Sequence, residues 1–128
     1  MSSWSSYKEK ARLRGALALE FFVVESMPNA SPEEMQKFLA DHLAYQKKIE
    51  AAGILFLAGP LSDASGEEMS GGGMMVYRAN SMDQAHQIAR EDPMHANGAR
   101  VFAIRRWLVN EGSFSSSVTL SDQSATLK

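Results

Sequence analysis

Four short runs of this chain are apolar without interruption: Phe21-Phe22-Val23-Val24, and residues 54–58, 74–76 and 101–104. A strand with one wet face alternates apolar and polar side chains, because successive residues point to opposite sides of the sheet. These runs do not alternate. Any sheet built from them needs both faces kept from water.

The rest of the chain says how such a sheet is connected. Residues 16–27, ALALEFFVVESM, are rich in aromatic and β-branched side chains and predict the first strand. Pro28-Asn29-Ala30 breaks it. Ser31 then stands as a helix N-cap, with Pro32 at the first helical position and Glu34 at capping-box spacing. This helix is expected to run to Ala52, with Gly53 as its left-handed stop. Residues 54–60 predict a second strand, and a polar, glycine-rich connection leads to a third at 73–79. Ser81 and Gln84 open a shorter helix, which must end by Glu91-Asp92 because Pro93 disfavours helical geometry before it. Residues 99–109 form the fourth strand. The order β-α-β-β-α-β is the split arrangement of ferredoxin-like folds: an α+β domain, with a four-stranded antiparallel sheet and two helices on one face. This domain spans 17–112. Residues 1–16 read as a polar arm or short helix, and 113–128 as a Ser/Thr-rich tail whose SVTL is expected to add an edge strand.

Two helices cover one face of four strands. The tail is too polar to cover the other, so the expected cover is the same face of a second copy, in an isologous homodimer. At about 25 cal/mol per Å², an apolar face of several hundred Å² contributes on the order of ten kcal/mol before association costs. Assembly beyond the dimer is left open.

Bulk properties narrow the function. Thirteen Lys and Arg against fifteen Asp and Glu give a net charge of −2 over 128 residues, with no basic field for nucleic acid or acidic lipid. No run approaches the roughly 18 apolar residues of a membrane span, and the N-terminus lacks a signal-type core, which predicts a cytoplasmic protein. The absence of cysteine removes disulfides and thiolate chemistry. Three histidines without carboxylates at ligand spacing make no metal motif, and Gly71-Gly72-Gly73 lacks the lysine of a phosphate loop and reads as a bend leading into a strand.

One residue stands out against this background. At about 100° per residue, Met35, Phe38, Leu39, Tyr45, Gln46 and Ile49 all fall within about 60° of His42. His42 is therefore placed on the helix side that packs on the sheet. It is either a core histidine donating to a backbone carbonyl or an acid/base, and the difference turns on a carboxylate partner. Asp92, at the end of the second helix on the same face of the sheet, is the candidate; its plainer use is to start an Asp-Pro turn.

The stretch DHLAYQKKIEAAG, followed by ILFLAGPL, a glycine-rich segment and EDPMHANGAR before a last strand containing Trp107, resembles the YciI-like (YCII-related) family over residues 19–112. The resemblance implies a dimeric α+β barrel with an active site at His42 and Asp92. One family member is a dehydrochlorinase of a hydroxylated aromatic, and the wider superfamily includes a lactone isomerase. The chain departs from the pattern at Met94, where an aromatic residue usually follows Asp-Pro, and at Leu39, where an arginine often precedes the histidine by one turn. The reading that follows is a small cofactor-free enzyme performing acid/base elimination, isomerisation or lyase chemistry on a small cyclic or aromatic molecule. Its catalytic residues are His42 and Asp92, its substrate-binding residues Tyr45, Met75, Met94, His95 and Arg105. A dimeric ligand-binding or accessory protein using the same cavity is the alternative. A haem-binding barrel would require an axial histidine facing a larger cavity.

Overall fold

The computed structural model describes residues 2–127. Its residues group into two compact units, one of them Glu20–Trp107 and the other formed by the two ends of the chain, up to Leu19 and from Leu108.

The central unit holds the sheet. Strands β1 (Leu19–Pro28), β2 (Leu55–Ser62), β3 (Met69–Tyr77) and β4 (Arg100–Val109) form one four-stranded antiparallel sheet in the order β2-β3-β1-β4. The helices that link them are α2 (Pro32–Gln36) with α3 (Leu39–Ala51), and α4 (Met82–Glu91) with the one-turn α5 (Pro93–Ala96). The fold is therefore the α+β, ferredoxin-like arrangement expected from the order of signals.

Register determines which residues share a face. Phe22 lies opposite Tyr77 and Val24 opposite Met75, with Val23 opposite Val76 on the other side. Phe22, Val24, Met75 and Tyr77 join Ile49 of α3, Ala85, Ile88 and Ala89 of α4, and Ile104 of β4 in one buried core. The other face is partly bare: Leu57, Val101 and Trp107 are 54%, 48% and 43% exposed. Phe21 on that side is buried, its ring stacked 4.7 Å from Phe56. Phe56 reaches that position because the β2 register shifts between Leu55 and Leu57.

Two helix starts follow the sequence signals. The hydroxyls of Ser31 and Ser81 accept from the backbone N–H of Glu34 and Gln84. Gln84 reaches back to the Asn80 N–H at 2.5 Å, nearly completing the capping box. Three boundaries differ from expectation. The first helix is not continuous: Lys37 and Phe38 donate three residues back, to Glu34 and Met35, and the ladder restarts at Leu39. This local tightening is of 3₁₀ type and puts His42 in the first turn of a new helix. Second, β3 begins at Met69, so the glycine run lies inside the strand. Third, among the described residues the tail adds no edge strand to the sheet. Its β5 (Ser116–Thr119) pairs with β6 (Ser124–Leu127), each Ser/Thr-rich segment finding its backbone partners in the other. At the other terminus, residues 4–13 form α1 (Trp4–Leu13), capped by Ser3. Among the described residues, no helix is long and apolar enough to cross a membrane.

Candidate active site

The site is assembled by a proline. Pro93 cannot continue α4, and the residue before it is held extended, with Asp92 at φ −62°, ψ 125°. Asp92 thereby ends α4 and caps α5, its Oδ1 accepting from Met94 N–H at 3.0 Å. The same turn carries its carboxylate inward, where it is fully buried. A buried carboxylate requires hydrogen-bond donors. Asp92 finds the second in His42, whose Nδ1 lies 2.9 and 2.8 Å from Oδ1 and Oδ2.

A carboxylate accepts, so Nδ1 carries the hydrogen and Nε2 is the nitrogen left over. The His42 side chain is 21% exposed. It lines a cavity of about 770 Å³ between α3 and the β2-β3 side of the sheet. The walls are mostly apolar and rich in methionine, with Met35, Leu39, Met75 and Met94 among them. Gly71, Gly72 and Gly73 contribute only backbone. A Cβ on Gly72 would stand 2.9 Å from the sulfur of Met27.

Of the five candidate substrate-binding residues, Met75 and Met94 line this cavity and the other three do not. Tyr45 donates its hydroxyl to the Ile88 carbonyl at 2.6 Å. Burial, reinforced by Glu91 and Asp92, pushes its pKa up to about 12, so it remains a donor. Arg105 is on the opposite face of the sheet, in an exposed ion pair with Glu25. Its odd-numbered position on β4 directs it away from His42. Arg106 pairs with Glu20 at 3.7 Å.

His95 is near the cavity but has both nitrogens engaged. Its Nδ1 is 2.8 Å from the Ala89 carbonyl and its Nε2 is 2.8 Å from Ser26 Oγ. The carbonyl accepts only, so Nδ1 donates and Nε2 receives the Ser26 hydroxyl hydrogen. Burial holds the His95 pKa below the ordinary histidine value. His86 is half-buried, its ring 6.0 Å from Phe102.

The sequence reading missed Arg100. It lines the cavity together with His42 and donates to Ser26 Oγ, the Ser26 carbonyl and the Gly71 carbonyl. The usable signal was parity: Arg100, Phe102 and Ile104 alternate on the helix-covered face of β4, whereas Arg105 does not. Among the described residues, no group of three or more His, Asp or Glu is placed to hold a metal ion.

Residues 20–108 match the profile of the YCII-related domain family. Over 72 residues the chain is 32% identical to the uncharacterized protein YjpA of Bacillus subtilis (strain 168), spanning 56% of this chain and 78% of that protein. It also resembles the solved structure of TftG, the 5-chloro-2-hydroxyhydroquinone dehydrochlorinase of Burkholderia phenoliruptrix AC1100, in complex with 2,5-dihydroxybenzoquinone. That match has a TM-score of 0.51 at 24% identity and covers 70% of this chain and 93% of the other. At this identity the likeness establishes the fold.

Proposed function

The chain belongs to the YCII-related family, and on that premise we propose that it is a small enzyme in which His42, oriented by Asp92, performs general acid/base chemistry on a small cyclic or aromatic molecule. The observation that carries this reading is the His42 Nδ1–Asp92 contact at 2.8 Å, made by a histidine that lines a cavity of ligand size and, among the described residues, has no hydrogen-bond partner at Nε2. Acting as a base, His42 uses the Nε2 lone pair of its neutral ring. It takes a proton from a carbon or hydroxyl of the bound molecule, and the imidazolium that forms lies against the buried Asp92 carboxylate. Returning the proton to another atom completes an isomerisation; loss of a leaving group completes an elimination. The dehydrochlorinase activity of TftG, a protein of the same fold, belongs to the elimination class. Proton transfer of this kind needs no cofactor.

The expected assembly is a homodimer through the open sheet face, supported by the exposed Leu57, Val101 and Trp107. A binding role without turnover would use the same cavity, and its methionine-rich wall favours that second reading because methionine adapts to varied ligands.

The test is turnover of a panel of lactones and halogenated quinols by wild type, His42→Gln and Asp92→Asn. We expect wild type to convert at least one compound and His42→Gln to lose 10²-fold or more, the scale of positioned acid/base catalysis. Equal rates in all three proteins, or no conversion by any, would end the enzymatic reading.

A further inference from the structure

The cavity that His42 lines also holds a cation, Arg100, whose bonding is incomplete. Arg100 Nε donates to Ser26 Oγ at 2.9 Å, and Nη2 donates to the Ser26 carbonyl at 2.9 Å and the Gly71 carbonyl at 2.6 Å. These three bonds account for Nε–H and both hydrogens of Nη2. Nη1 has two hydrogens and, among the described residues, one partner: the Met35 sulfur at 3.8 Å. Thioether sulfur is a weak acceptor. Met35 and Arg100 both line the cavity, so the least satisfied end of the guanidinium belongs to a residue of the cavity wall.

The anchoring is unusually firm for an arginine. Ser26 is only 3% exposed, and its hydroxyl hydrogen is already given to His95 Nε2, which leaves its oxygen to accept from Arg100. Gly71 adopts φ +86°, a conformation that side-chain-bearing residues rarely take, while its carbonyl accepts from Nη2. The head group is thus held by buried or conformationally committed partners. Burial also disfavours its charge, an effect that Asp92 opposes. An anion arriving at Nη1 would be paired without much loss of side-chain freedom.

We propose that Arg100 Nη1 is the oxyanion anchor of this cavity, so that the preferred ligand is a small apolar ring bearing a phenolate or carboxylate oxygen. This rests on the proposed use of the cavity as a ligand site, and it adds the charge of the ligand and the residue that selects it. The apolar walls take the ring, Arg100 takes the charged oxygen, and His42 faces the remainder of the ring. The guanidinium also withdraws electron density through that oxygen, which favours loss of a proton to His42 from the ring.

Binding of matched probes tests the proposal separately from turnover. The probes are benzoate with its neutral isostere benzamide, and 4-nitrophenolate with nitrobenzene, measured by calorimetry; the nitrophenol absorbance also reports its ionisation. Wild type is expected to bind each anion at least ten-fold tighter than its neutral partner and to lower the apparent pKa of bound 4-nitrophenol. Arg100→Gln should reduce that preference to about two-fold or less while neutral probes change little, and Arg100→Lys should retain part of it. A response by benzoate alone identifies a carboxylate site, and by nitrophenolate alone a phenolate site; either supports the anchor. His42→Gln should leave the preference in place, so a protein that selects anions but turns nothing over removes the enzymatic reading and keeps this one. Absence of anion preference in wild type, binding of no probe, or equal weakening of anionic and neutral probes by the substitutions overturns it. If Arg100→Gln does not fold, Arg100→Lys decides: an unchanged preference and an unchanged nitrophenol shift would assign the effect to another group.

Discussion

His42 and His95 are within reach of the same turn, and the difference between them is instructive. Both are partly buried and each has a hydrogen bond at Nδ1 of about the same length, 2.8–2.9 Å for His42 and 2.8 Å for His95. His42 meets a carboxylate, lines the cavity and, among the described residues, has no partner at Nε2. His95 meets the Ala89 carbonyl, and its Nε2 is occupied by the Ser26 hydroxyl. An imidazole with both nitrogens engaged holds a structure together; one with a nitrogen to spare can exchange a proton with a ligand. Proximity to a cavity does not distinguish them. The count of unengaged nitrogens does.

The sharpest way to break this contrast is turnover. His42→Gln should reduce it 10²-fold or more, whereas His95→Gln should leave it within about ten-fold, assayed on whichever panel compound wild type converts. Comparable losses would mean that His95 takes part in the chemistry, directly or through Arg100.

Stability gives the next largest effect and should rank the two regions through their acceptors. Asp92→Ala removes the acceptor of both His42 Nδ1–H and the Met94 N–H. Leaving buried donors unpaired costs roughly 1–3 kcal/mol, readable by chemical denaturation. A change within error would show that water replaces the carboxylate, and that this turn is more open than its burial indicates.

The pH dependence of stability isolates His95. Burial lowers its folded pKa, so below the ordinary histidine value the unfolded chain binds a proton that the folded chain refuses. Linkage then makes stability rise with pH through that window. Equivalently, stability falls as pH drops below about 6.5 and stops falling once the folded pKa is passed. The slope should flatten in His95→Gln, and an unchanged slope would assign it to other groups. The smallest effect is expected at Tyr45, where Phe removes a single hydroxyl donated to Ile88 O, a loss of about 0.5–1.5 kcal/mol with turnover little changed. A large fall in turnover would return Tyr45 to the ligand site.

Much of this molecule could be read along the chain because the relevant physics is local. Ser31 and Ser81 with the residues three positions on, the Asp92-Pro93 break and the unbroken apolar runs each act within a few residues. They specify the order of strands and helices, and that order narrows the topology to the ferredoxin-like one. The same local rules marked His42 and Asp92 as candidates, and the family resemblance paired them, although they are fifty positions apart and nothing local requires their contact. What depended on the folded molecule was the use of each nitrogen. Whether a histidine has an unengaged Nε2, whether Arg100 or Arg105 faces the cavity, and whether Gly71 offers its carbonyl are settled by strand parity, by a bend at Phe38 and by a left-handed glycine. Hydrogen-bond satisfaction is a sum over neighbours in space, and those neighbours come from β1, β3, α4 and β4 at once.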